Sequence, residues 1–119
     1  LLFVKDTVNG FLKIAQCDEL IGHEVNIATQ SEISVADMAQ QLISSINPSA
    51  KIISDSVRLR PEKSEVERLW ADTTKAKKLI GWEPSYAGRD GFKRGIVETI
   101  NWFTQSENLR PYKSDTYNL

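Results

Sequence analysis

Arg58-Leu-Arg-Pro-Glu-Lys-Ser-Glu-Val-Glu-Arg-Leu-Trp-Ala-Asp72 runs directly into Thr73-Thr-Lys-Ala-Lys-Lys-Leu-Ile-Gly-Trp-Glu-Pro84, and this join decides the fold. The first part gathers Arg58, Arg60 and Arg68 around Glu62, Glu65 and Glu67. Pro61 stiffens its middle, because the ring fixes φ and removes a donor. Guanidinium groups are planar forks that suit bidentate binding of phosphate or carboxylate. A neighbouring carboxylate can accept from sugar hydroxyls. The stretch therefore has the groups to hold a molecule with both a phosphate and a ribose. The same residues equally describe a solvated charged loop with weak internal ion pairs. In the second part, Asp72 or Thr73 caps a helix that turns Ala76, Leu79 and Ile80 inward. Gly81 ends it at the left-handed position, with Pro84 just beyond as a stop signal. Trp82 covers that end.

Working outward, the hydrophobic periods set the remaining elements. Leu1–Val4 is a short apolar run with strand character. Asp6 can cap the next helix, in which Val8, Phe11, Leu12 and Ala15 recur at helical spacing. Gly10 within it costs about 1 kcal/mol against Ala and hints at close packing. Glu24–Thr29 alternates apolar and polar residues, the mark of a half-buried strand. Ser34-Val-Ala-Asp37 fits the acid variant of a capping box. It opens a helix with Val35, Met38, Ala39, Leu42, Ile43 and Ile46 on one face, stopped before Pro48. Lys51–Ser54 and Ser56–Arg60 read as short strands, as does Leu69–Asp72. Asp90 opens the last long helix, with Phe92, Ile96, Ile100 and Phe103 on one face. The expected class is α/β, mixed α+β in this chain. Helices fall near 5–17, 34–46, 73–80 and 90–105, and strands near 24–29, 51–54 and 56–60. Residues 108–119 form a polar tail with the composition of a disordered end.

Composition bounds the function. The chain has 119 residues, 40% hydrophobic and 26% charged, the profile of one small globular domain. Its formal net charge is −1, so no global field favours nucleic acid or an anionic membrane. Cys17 is alone, which rules out an intrachain disulfide; it reads as a small buried apolar residue. His23 is also alone, in a Gly22-His-Glu turn, and no Cys/His cluster has zinc spacing. No signal peptide is visible, so a cytoplasmic location is expected. The start without Met inside an apolar run suggests a fragment. Gly88-Arg-Asp-Gly91-Phe-Lys-Arg-Gly95 lacks both the spacing and the preceding strand of a dinucleotide-binding turn. No Tyr has a Lys four residues later: Asp90 follows Tyr86, and Thr116 follows Tyr112.

The Arg-Pro-x-x-Ser-Glu segment, followed by Ala71-Asp-x-x-Lys-Ala and then Leu79-Ile-Gly-Trp-x-Pro84, resembles the C-terminal signature of the extended short-chain dehydrogenase/reductase superfamily, the nucleotide-sugar epimerases and dehydratases. Leu2–Leu12 is similar to that family's Phe/Tyr-Val-x-Asp-x-Val segment. Glu24–Thr29 with Ile33–Met38 is similar to its Asn-Ile-Gly-x-Gly…Ser-x-x-Glu-Leu block, except that Ala28 and Gln30 replace glycines. The ending Tyr112-Lys-Ser-x-x-Tyr-Asn-Leu119 resembles a tail found in some sugar-nucleotide 4,6-dehydratases. The resemblance implies that residues 1–107 are the sugar-nucleotide-binding part of a Rossmann-type enzyme whose NAD-binding domain, with its Tyr and Lys, is absent here. By position it implies that Arg60 clasps the pyrophosphate and Glu65 binds the ribose hydroxyls, with Arg58 and Arg68 as further contacts. Arg68 has a second reading, as a partner for Glu65 or a helix end. In the implied whole enzyme, NAD takes a hydride from sugar C4, water leaves across C5 and C6, and the hydride returns to C6. The chain alone is expected to bind a nucleotide-diphosphate sugar such as a UDP-sugar, to hold no NAD or metal, to have no catalysis, and to self-associate. The alternatives are a 4-epimerase fragment and a stand-alone partner-binding module.

Overall fold

The computed structural model describes residues 1–53 and 68–112. Among these, the chain forms α1 (Val4–Ala15), a 3-10 turn at Asp18–Leu20, α2 (Val35–Ile46), α3 (Thr74–Ile80), α4 (Gly88–Phe103) and the short α5 (Ser106–Leu109). The four long helices stand where the periodicity puts them. Ser34 caps α2 as its sequence demands: its hydroxyl accepts from Asp37 N at 3.0 Å and donates to the Asp37 carboxylate at 2.8 Å. Gly81 adopts φ 56° and ψ 29° at the end of α3, a left-handed conformation in which a side chain would be strained.

α1 is the hub, through a face that the apolar pattern does not mark. Phe3, Asp6, Gly10 and Lys13 recur at spacings of three, four and three, and each meets a different part of the chain. The Phe3 ring lies against Tyr86, centroids 4.3 Å apart, and over Gly95 of α4. Asp6, only 3% exposed, accepts from the backbone N–H of Ser85 and of Tyr86, both at 2.9 Å. Gly10 is buried under Ile27 and Trp82: a Cβ there would fall 2.6 Å from Ile27 Cδ1 and 3.3 Å from Trp82 Nε1. Lys13 Nζ donates to Gly81 O at 3.0 Å and Ile80 O at 3.4 Å, placing a cation at the carbonyl end of α3. The expectation that Asp6 caps α1 is thereby corrected. The helix starts earlier, at Val4, and the carboxylate turns inward to hold the 85–86 loop.

The stripe read from periodicity faces outward. Val8, Phe11 and Leu12 are 52%, 64% and 58% exposed, Ala15 is exposed as well, and Val4, 63% exposed, extends the same face. Among the described residues, the buried apolar side chains are Leu20, Ala76 and Trp82, the last two fully buried, with Trp82 against the Gly10 side of α1. α2 packs on α4, and α5 folds back on the end of α4. There Trp102, Phe103 and Tyr112 meet edge to face, and Asn108 Nδ2 donates to Trp102 O at 2.9 Å.

No strand forms among the described residues, which corrects the strands expected at 24–29, at Leu1–Val4 and at Leu69–Asp72. Residues 51–53 are likewise not in a strand. Residue 54 and the strand expected at 56–60 lie outside the described residues. The alternation at 24–29 correctly records one covered side, since Val25 and Ile27 are half-buried and Thr29 is buried. A strand also needs a second backbone to supply its ladder. Here side chains do part of that work: Lys75 Nζ donates to Glu24 O at 2.7 Å, and Thr29 Oγ1 donates to Leu1 O at 3.1 Å. The described residues are therefore helical, without the strands that the α/β expectation requires.

Candidate functional site

Of the candidate ligand-binding residues, Arg58, Arg60 and Glu65 lie outside the described residues, and Arg68 lies within them. Arg68 closes the Arg/Glu stretch, and its guanidinium forms a fork with Glu32. Nε donates to Oε1 at 2.9 Å and Nη2 to Oε2 at 2.5 Å. The side chains are 73% and 34% exposed. Arg68's hydrogen bond holds the Glu32 carboxyl below the ordinary range, and the same bond raises the guanidinium. Glu32 sits in the loop that leads into α2, so the pair ties the end of the Arg/Glu stretch to that loop, 36 residues away in sequence.

Two hollows lie in this part of the chain, the larger lined by Glu32 and the smaller by the neighbouring Ser31 and Leu69. A cleft of about 720 Å³ opens between α2 and α4; Glu32, Gln41, Arg89 and Lys93 are among the residues that line it. A smaller hollow of about 110 Å³ lies beneath Leu69, Trp70 and Ala71, facing Leu1 and Gln30. Gln30 has φ 47°, a left-handed conformation where the related block carries glycine. Beyond Trp70, the Asp72 carboxylate accepts from Thr74 N at 2.8 Å and from Thr74 Oγ1 at 2.6 Å. These bonds hold the Asp72 carboxyl below its usual range, and Asp72, not Thr73, is the side chain that caps α3.

A second polar cluster joins α1 to α4. Glu98 accepts from Lys5 Nζ and from Tyr86 Oη, both at 2.5 Å. Arg94 lies 4.8 Å over the Tyr86 ring and donates to Ser85 O. The bond to Glu98 raises the Tyr86 phenol above its ordinary value. The cluster is a clasp that joins Lys5 of α1, the 85–86 loop and Glu98 of α4.

Gly91 and Gly95 of α4 leave no room for a dinucleotide, although Gly88 is open. That site needs an open turn whose backbone approaches a pyrophosphate. Gly91 is buried against the Tyr86 backbone, where a Cβ would fall 2.2 Å from the carbonyl carbon, and Gly95 is covered by Phe3. His23 is exposed in its turn. Cys17 lies beyond the end of α1 and is half-buried, so it is not the helix-borne core residue expected. Sequence reasoning missed Glu32, Asp6 and Glu98. Glu32 gives no local signal, because its partner is far along the chain. Asp6 was read as a cap of α1, and its inward role as the anchor of the 85–86 loop left no local signal.

A profile of the family described as GDP-mannose 4,6 dehydratase matches residues 1–95. The chain belongs to this family. The match runs through the Arg/Glu stretch and the Gly81-Trp82 join, and it agrees with the resemblance to extended short-chain dehydrogenase/reductase epimerases and dehydratases. UDP-glucuronic acid decarboxylase 4 of Arabidopsis thaliana is 33% identical over 90 residues, covering 75% of this chain and 19% of the relative. UDP-N-acetyl-alpha-D-glucosaminuronate decarboxylase of Bacillus cytotoxicus is 30% identical over 109 residues, 89% of this chain and 32% of the relative. UDP-glucuronate 4-epimerase of Thermodesulfobacterium geofontis is 44% identical over 52 residues, 44% of this chain and 14% of the relative. The chain thus spans less than a third of the length of these curated relatives. No solved structure matches it. Among the described residues, no helix is long and apolar enough to cross a membrane.

Proposed function

We propose that this family member grips the nucleotide diphosphate of a sugar nucleotide and serves an NAD-dependent 4,6-dehydratase in which other residues hold the cofactor. The observation that carries the proposal is the family match, which runs through residues 58–68; our reading gives Arg60 the pyrophosphate and Glu65 the ribose, on the resemblance of the Arg-Pro-x-x-Ser-Glu spacing. The relatives' names share a UDP-sugar, which favours uridine diphosphate as the handle. In this scheme Arg58, Arg60 and Arg68 neutralise the diphosphate, and Glu65 fixes the ribose by accepting from its hydroxyls. Binding energy at the nucleotide then positions the sugar for chemistry. None of these residues moves a proton.

A 4-epimerase is the second reading, favoured by the 44% identity to a UDP-glucuronate 4-epimerase. The product of the complete enzyme separates the two: a 4-keto-6-deoxy sugar for the dehydratase, a sugar inverted at C4 for the epimerase. The chain alone, mixed with NAD and a UDP-sugar, is expected to give no 4-keto sugar; appearance of one contradicts its role as a grip. Calorimetric titration tests the grip itself. UDP is expected to bind saturably, and uridine at least tenfold more weakly, since the diphosphate supplies the charge-assisted bonds. Equal affinity for the two overturns the reading.

A further inference from the structure

The Arg68–Glu32 fork bears on how this grip is controlled. A guanidinium meets a carboxylate and a phosphate with the same pair of parallel N–H donors. In Arg68 the Nε/Nη2 edge is spent on Glu32, with Nε on Oε1 and Nη2 on Oε2. The pair is not buried, with Arg68 73% and Glu32 34% exposed, so it lies where a ligand can reach it and where water weakens it. The sequence neighbours of the pair, Ser31 and Leu69, line the smaller hollow, and Arg68 stands at the end of the stretch that carries Arg60 and Glu65. Glu32 faces the α2–α4 cleft, whose lining includes the cations Arg89 and Lys93.

We propose that Glu32 occupies Arg68 in the place of a ligand phosphate, so that a nucleoside diphosphate binds by exchanging one anion for another on the same guanidinium. This rests on the reading of residues 58–68 as a diphosphate grip and adds to it an internal competitor. The exchange makes and breaks no covalent bond and moves no proton. It weakens binding of any ligand without a phosphate to displace Glu32, and it keeps an exposed arginine from attracting stray anions.

The test is a double-mutant cycle read by calorimetry, with UDP and inorganic pyrophosphate as probes. Glu32→Gln keeps the shape of the side chain and removes its charge. It is expected to tighten both probes roughly two- to fivefold, the range that release of an exposed ion pair supplies. Arg68→Ala is expected to weaken both. In the Arg68→Ala background, Glu32→Gln is expected to change nothing, because there is no guanidinium left to compete for. Weaker binding in Glu32→Gln means the pair only positions the loop and overturns the inference. Equal tightening with and without Arg68 means simple charge repulsion and overturns it as well. If Arg60→Glu abolishes UDP binding while Glu32→Gln leaves it unchanged, the competitor fails and the grip stands. If UDP binds to none of the variants or to wild type, the grip fails and the competitor with it.

Discussion

Asp6 shows how one side chain organises its surroundings. Its carboxylate is almost inaccessible, yet it touches no cation among the described residues; it is satisfied by the two backbone amides of Ser85 and Tyr86. Those bonds fix the loop between α3 and α4, and through it the placement of Tyr86 on Phe3. Asp6→Ala strands both amides and is expected to cost about 2–4 kcal/mol of unfolding free energy, by the usual penalty for buried unmet groups. Asp6→Asn keeps one good acceptor and is expected to cost about half of that. Urea unfolding of the three proteins checks this. Equal midpoints for wild type and Asp6→Ala contradict the assignment of Asp6 as the loop's anchor.

At the scale of elements, the helices are held less by a core than by polar ties. Lys5 and Tyr86 both donate to Glu98, joining α1 to α4. The bonds from Lys5 and then Tyr86 lower the Glu98 carboxyl, and Glu98 raises the Lys5 ammonium and the Tyr86 phenol. The signs are opposite on the two sides of neutrality. A lowered carboxylate contributes stability above its unfolded pKa, ordinarily about 4.3, and loses it as pH falls through the folded value. Raised Lys and Tyr groups contribute below their unfolded values, ordinarily about 10, and lose it as pH rises through the folded ones. The difference in thermal midpoint between wild type and Glu98→Gln is therefore expected to be flat from about pH 6 to 9 and to shrink below about pH 4 and above about pH 10. A difference independent of pH contradicts the clasp.

The same scale shows what was legible in the sequence. Helix positions were, because caps and stops such as Ser34, Gly81 and Pro84 act locally and leave local marks. The buried side of α1 was not. Val8, Phe11 and Leu12 make the stronger apolar pattern, but the chain packs on Phe3, Asp6, Gly10 and Lys13. A hydrophobic stripe tells which face avoids water, not which partner covers it. The strand at 24–29 failed for a related reason: alternation records a covered side but not whether a second backbone lies alongside. At the candidate site, the Arg68–Glu32 pair was not legible, since pairing across 36 residues is a property of the fold.

For the whole molecule, the outward stripe has a direct consequence. Val4, Val8, Phe11 and Leu12 form a contiguous apolar face on a helix whose other side is already occupied. Exposed apolar patches of this kind mark interfaces or drive association. The chain is expected to self-associate as its concentration rises, and Phe11→Glu is expected to shift it to monomer in sedimentation velocity without altering its helix content. Monomeric wild type at high concentration contradicts this. The grip is a separate property of the molecule, and one titration tests it most directly. UDP is added to the wild-type chain and to Arg60→Glu, each with confirmed helical content. Saturable binding to wild type that disappears in Arg60→Glu is the predicted result; undiminished affinity in the variant would mean that the diphosphate is held elsewhere.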